Sequence, residues 1–134
     1  MPFTGASHIR IARPSRDLAR AEQFWVQGLD LAVLHRMTSE PGPHDLLMVG
    51  HPDAPWHLEL VHDRRHPEEP RPTEEDLLVI YLDGPVPDEL VSRLVAHGGR
   101  RVSSPNPYWN EWGVTIEDPD GYRLVLSTRG WTNS

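Results

Sequence analysis

An α+β fold of two tandem βαβββ modules is what the sequence predicts, and two observations carry that prediction. The first is a repeated phrase. Residues 113–126 read as two strands joined by a tight turn, because Val114, Ile116, Tyr122, Leu124 and Leu126 recur every second residue around Asp118-Pro119-Asp120-Gly121. Residues 49–60 repeat the phrase with one added residue. Pro52-Asp53 matches Pro119-Asp120 at an offset of 67 residues, and Trp56, Leu58 and Leu60 match Tyr122, Leu124 and Leu126. The second observation is that each phrase closes the same order of elements: strand, helix, three strands. Within 134 residues, such halves are supersecondary units that need each other to bury their apolar faces.

The first module spans residues 6–61. It opens with a strand over 8–12, where Ile9 and Ile11 fall on one face and His8, Arg10 and Ala12 on the other. Ser15 is placed to cap a helix running to about Gln27, since Leu18, Ala21 and Trp25 fall at helical spacing beside Phe24, and Gly28 supplies the stop. Two strands, 31–37 and 46–49, flank a Ser-Glu-Pro-Gly-Pro turn, and a strand over 56–61 closes the module. Residues 62–76 are proline-rich, charged and aperiodic, which makes them a linker. His62 and His66 lie there four apart, but Arg64, Arg65 and Pro67 argue for a solvated loop over a helical zinc pair.

The second module spans 77–128. Its first strand, 77–82, is continuously apolar and is expected to be buried on both faces. Pro87-Asp88-Glu89 opens a helix with the stripe Leu90, Val91, Leu94 and Val95, and Gly98-Gly99 ends it. A short strand over 101–103, an aromatic loop over 105–112 and the final hairpin complete the repeat, and the tail from 129 is expected to fray.

Composition excludes several classes of function. A balance of 13 basic against 20 acidic residues argues against nucleic acid or an anionic membrane and in favour of a small-molecule partner. The absence of cysteine removes disulfides, thiolate metal sites and thiol nucleophiles. The first residues carry no basic patch before an apolar run, and no stretch reaches membrane-spanning length, so a soluble cytoplasmic protein is expected. There is no Gly-x-Ser-x-Gly elbow, and Gly98-Gly99 follows a helix instead of opening one, so neither a serine hydrolase nor a phosphate cradle is supported. His35, His44, His51 and His97 have no evident partner and read as solvent-facing.

The duplicated unit, His8 in the first strand, Glu59 in the fourth and Asp118-Pro119-Asp120-Gly121 before the last strand together resemble the vicinal oxygen chelate superfamily. Its members include glyoxalase I, extradiol dioxygenases, fosfomycin-resistance enzymes and bleomycin-binding proteins. Asn106-Pro107-Tyr108-Trp109, Gly113-Val114-Thr115 and residues 118–126 are most similar to a functionally uncharacterised bacterial branch. The resemblance implies curved mixed sheets, one per module, around a cleft, and a homodimer. In metal-using relatives each module supplies two ligands, from its first and fourth strands. His8 and Glu59 stand at those positions in the first module, whereas Leu78 and Val125 stand at them in the second, so half of the shell is missing.

Strand parity adds to this picture. His57 and Glu59 are two apart on one strand and share a face, opposite Trp56, Leu58 and Leu60. If Glu59 faces the cleft, His57 does too, and His8 approaches from the first strand. These three could hold a divalent ion such as zinc, nickel, iron or manganese, or could satisfy one another without any metal. Arg10 and Arg123 share the cleft-facing parity, which suits an anionic or oxygen-rich ligand or simple pairing with acids such as Glu59. Tyr108, Trp109 and Trp112 could roof a pocket and stack on a planar ligand, or pack as local core.

Two functions follow. One is a divalent-metal-dependent lyase, isomerase or dioxygenase-type enzyme acting on a small oxygen-rich substrate, with Glu59 or His57 as general base. The other is a metal-free protein that binds or sequesters a small, antibiotic-type molecule, which Leu78, Val125, the aromatic loop and the acidic net charge favour.

Overall fold

The repeat is visible in the order of elements. In the computed structural model, which describes residues 1–38 and 40–134, the first module runs β1 (Ile9–Pro14), α1 (Leu18–Glu22) continued by a wider π-helical turn (Gln23–Gly28), β2 (Ala32–Thr38), β3 (His44–Gly50) and β4 (Trp56–Asp63). The second runs β5 (Leu77–Tyr81), α2 (Asp88–Ala96), β6 (Arg100–Val102), a short α3 (Pro107–Glu111), β7 (Gly113–Glu117) and β8 (Arg123–Ser127). Ser39, in the turn expected after β2, lies outside the described residues.

Each module forms a four-stranded mixed sheet, in the orders β1-β4-β3-β2 and β5-β8-β7-β6. In each sheet the first strand pairs in parallel with the last, and the remaining neighbours are antiparallel. An α+β protein of two βαβββ units is therefore what the chain builds. No helix among the described residues is long and apolar enough to cross a membrane.

The two halves share one core. Leu47, Val49, Leu58 and Leu60 from the first sheet meet Ile116, Leu124 and Leu126 from the second, with Ala21, Phe24, Trp25 and Leu94 of the helices between them. Phe24 and Trp25 pack edge-to-face at 4.9 Å between centroids. Polar bonds reinforce the joint: Trp25 Nε1–H donates to Asp118 Oδ2 at 3.1 Å, and Arg93 Nε–H donates to the Gly28 carbonyl at 2.8 Å. Gly99 is required here by close approach, because a Cβ would lie 2.9 Å from Phe24 Cε2 and 2.7 Å from the Leu94 carbonyl.

Several local expectations are corrected. Asp17, not Ser15, caps α1, accepting from the amides of Ala19 and Arg20, while the Ser15 amide is drawn into the sheet by the Val61 carbonyl at 2.8 Å. The strand at 77–82 is half-buried, not buried on both faces, because β5 is an edge paired only with β8. The aromatic segment contains a helical turn, since Asn106 caps it through a Tyr108 N–H bond of 3.0 Å. β4 runs two residues past 61, and β1 leaves Ile9 and Ile11 at 59% and 39% exposure.

Candidate functional site

The parallel pairing of β1 with β4 sets Arg10 opposite His57 and Ala12 opposite Glu59. Because Leu58 and Leu60 enter the core, His57 and Glu59 occupy the far face of the sheet, buried at 6% and 7% exposure. Arg10 Nε–H donates to His57 Nε2 at 3.2 Å, and the second His57 nitrogen, Nδ1, lies 2.7 Å from His8 Nε2. Arg10 Nη1 stands 3.3 Å from Glu59 Oε1 as an ion pair without hydrogen-bond geometry. Thus His8, Arg10, His57 and Glu59 are brought together as sequence parity predicted.

An arginine only donates, so the tautomers follow. Nε2 of His57 is its acceptor, the proton sits on Nδ1 and is donated to His8 Nε2, and His8 keeps its own proton on Nδ1. Burial first, then His8 and Arg10, pull the His57 pKa below its ordinary value against the opposing pull of Glu59. His57 is accordingly a neutral ring at neutral pH.

This arrangement does not fit the expected metal set of His8, His57 and Glu59. A divalent ion needs several free lone pairs converging on one point. Arg10 takes the Nε2 lone pair of His57, His57 takes that of His8, and Glu59 Oε1 faces the guanidinium. Among the described residues no group of three His, Asp or Glu side chains is arranged to hold an ion. The reason is the register of β1 on β4, which places a fixed cation among these donors.

The same face continues into a cavity of about 560 Å³. Ala12 and Pro14 of β1 with Val61 of β4 form its floor, and Asp63, His44, His66 and Glu69 line its rim. Asp63 accepts from the amides of Arg65 and His66, bonds that hold its pKa down, and it stands 3.4 Å from His44 Nε2. His44 is solvent-facing as expected but has a partner in Asp63, and its place on the rim of this cavity is what sequence reasoning missed. The signal was the parity 57, 59, 61, 63, which the charged start of the linker concealed.

The other candidates lie elsewhere. Arg123, on β8, is 7% exposed, with Nη2 at 3.6 Å from Glu117 and 3.9 Å from Glu74. Tyr108 and Trp109 pack edge-to-face at 4.9 Å, and Arg129 lies over Trp112 at 4.6 Å. Trp109 lines a separate cavity of about 150 Å³ with Glu74, Glu75, Leu77 and Asn106. Arg123 and the aromatic trio therefore do not join the His57 row within this chain, because the two sheets share a core through their opposite faces. The assignment of Leu78 to a ligand position is also corrected. Leu78 pairs with Leu124 on the core side, while Leu77 and Val79 are the partners of Arg123 and Val125. The polar row Arg10, Ala12, His57, Glu59 thus becomes Leu77, Val79, Arg123, Val125 in the second module.

Comparison with known proteins places this geometry in context. Residues 9–61 match the YycE-like N-terminal domain, and residues 75–128 match the YycE-like C-terminal domain. The chain is 39% identical over 122 residues to the uncharacterized protein YycE of Bacillus subtilis, covering 90% of this chain and 87% of that one. The crystal structure of a Bacillus subtilis YycE, described as a protein of unknown function and putative glyoxalase/fosfomycin resistance protein, superimposes with a TM-score of 0.83 at 36% identity. That match covers 96% and 94% of the two chains. More distant likeness, of fold alone, extends to Leishmania major glyoxalase I (TM-score 0.69, 19% identity, 90% and 84% covered). It extends also to TnmS3, an antibiotic binding protein from Streptomyces sp. CB03234 (TM-score 0.62, 23% identity, 96% and 100% covered).

Proposed function

The chain belongs to the YycE-like family, of vicinal oxygen chelate fold, and from that premise we propose that it binds a small molecule on the polar face of its first module without a resident metal. One observation carries this reading: the sheet face that bears buried His57 and Glu59 continues, through Ala12, Pro14 and Val61, to a neighbouring cavity of about 560 Å³, a size suited to a drug-like ligand. Ala12, Pro14 and Val61 take the body of the ligand, and the row, which lies next along the same face and outside the cavity's own lining, supplies polar groups beside it. A metal-dependent reaction draws less support, since Arg10 stands among the donors such an ion needs.

The ligand's second wall comes from a second copy of the chain. β1 and β5 are edge strands with no outer neighbour, and Ile9 and Ile11 offer apolar surface along the first. A homodimer that seats the second module's polar face opposite the first module's would place Arg123 and Trp109 across the cavity.

The test is a thermal-shift screen of small anionic and antibiotic-type compounds against the wild type, Glu59→Gln and His57→Ala. Hits on the wild type that both variants lose support the site. Hits that neither variant weakens would place the site elsewhere.

A further inference from the structure

Resting on that reading of the first module's polar face, we propose that Arg10 does there the work a metal ion does in metal-using relatives. The group it recognises is an oxyanion, a carboxylate or phosphate. The guanidinium has five N–H donors in a rigid plane. Nε–H is committed to His57, and Nη1 faces Glu59, so the Nη2 edge has no partner among the described residues. Both anchors are nearly buried, whereas the Arg10 side chain is 54% exposed. The fork is therefore held from behind and open in front, oriented before any ligand arrives. His8 Nδ1–H, also without a partner among the described residues, is a second donor at the same end of the row.

The chemistry of the two cations differs in a way that names the ligand. A metal ion accepts lone pairs from neutral hydroxyls and carbonyls as readily as from anions. A guanidinium cannot accept a lone pair; it only donates, and with Nε–H given to His57 and Nη1 facing Glu59, the open Nη2 group offers charge-assisted hydrogen bonds whose natural counterpart is an oxyanion. Glu59 is the acid facing Arg10 in this row and is already paired with it, whereas Asp63, Glu68 and Glu69 line the adjoining cavity, so the oxyanion sits at the Arg10 end of the row and not among those acids. The same logic explains why the second module carries no equivalent: Leu77 stands where Arg10 does, opposite Arg123.

Two probes test the proposal: inorganic phosphate and zinc ion. In protein labelled with ¹⁵N-arginine, phosphate is expected to shift the Arg10 Nε–H resonance. Its affinity should fall roughly tenfold or more in Arg10→Ala and partly recover in Arg10→Lys, which keeps the charge but not the fork. Zinc titrated into the wild type at neutral pH should show no stoichiometric uptake. Arg10→His should take up about one ion per chain, because it frees His57 Nε2 and Glu59 Oε1 and adds an imidazole opposite His57. Phosphate affinity unchanged in Arg10→Ala, one-to-one zinc uptake by the wild type, or none by a folded Arg10→His would each overturn the assignment. Should Arg10→Ala keep its phosphate affinity while Glu59→Gln and His57→Ala lose the screened compounds, the oxyanion assignment falls and the first-module binding site stands.

Discussion

Two buried groups titrate in opposite senses, and each can be followed by itself. His57 has its pKa lowered, so the fold favours its neutral ring; that contribution is present above the ordinary value of 6.5 and is lost as pH falls through the folded value. Arg10→Ala removes one lowering influence and should raise the His57 pKa, while Glu59→Gln removes the raising one and should depress it further; ring-proton NMR titrations read both. Asp118 runs the other way. Burial first, then Asp120, push its pKa up to about 6 against bonds donated by Tyr122, Trp25 and Asp120. A raised carboxylic pKa contributes stability below its ordinary value of 3.8, and that is lost as pH rises through about 6. Urea unfolding of wild type against Asp118→Asn should therefore show a stability difference that changes by on the order of 2–3 kcal/mol between pH 4 and pH 7. A pH-independent difference would contradict it. The alternation around Glu59 made the His57 row legible in the sequence. The pairing of Arg10 with His57 was not, because it depends on how two strands 47 residues apart come into register.

Among the elements, the segment joining β6 to β7 is held by one side chain. Asn110 Oδ1 accepts from the Ser104 amide at 2.8 Å, and its Nδ2–H donates to the Ser104 carbonyl at 2.9 Å, closing the loop onto α3. Asn110→Ala should cost about 1–2 kcal/mol and raise amide exchange over residues 103–112 without touching the first module; uniform exchange changes would refute that partition. At the joint between modules, Gly99→Ala should cost about 1–3 kcal/mol in chemical denaturation, because its methyl group meets Phe24, Leu94 and Ile116 at once. The existence and type of most elements could be read from period and turn residues. Their ends could not: the cap moved from Ser15 to Asp17 when the Ser15 amide joined the sheet, and β4 outran its expected end because His44 pairs with Asp63 across the strands. An apolar run such as Leu77 to Leu82 looks the same at the edge of a sheet as at its centre, since nothing local records how many neighbours a strand has.

At the scale of the molecule, the apolar faces of both sheets meet in one core, and the polar faces lie on the far side of each. The proposed homodimer gives the cleft its second sheet wall; it predicts that the wild type sediments as a dimer in analytical ultracentrifugation, whereas Ile11→Lys on the β1 edge sediments as a monomer and binds compounds more weakly. A variant that stays dimeric and binds as before would remove the second wall from the account. What the sequence by itself determined is the duplicated βαβββ order and the alternation that sends His57 and Glu59 to one face and Leu58 and Leu60 to the other. Both follow from short-range periodicity, which is written residue by residue. Only the tertiary structure decided that Arg10 stands between His57 and Glu59, that the cavity extends to His44 and Asp63, and that Arg123 lies apart from them. Those facts come from register and from which faces share the core, properties of strands meeting at long range that no single stretch of chain encodes.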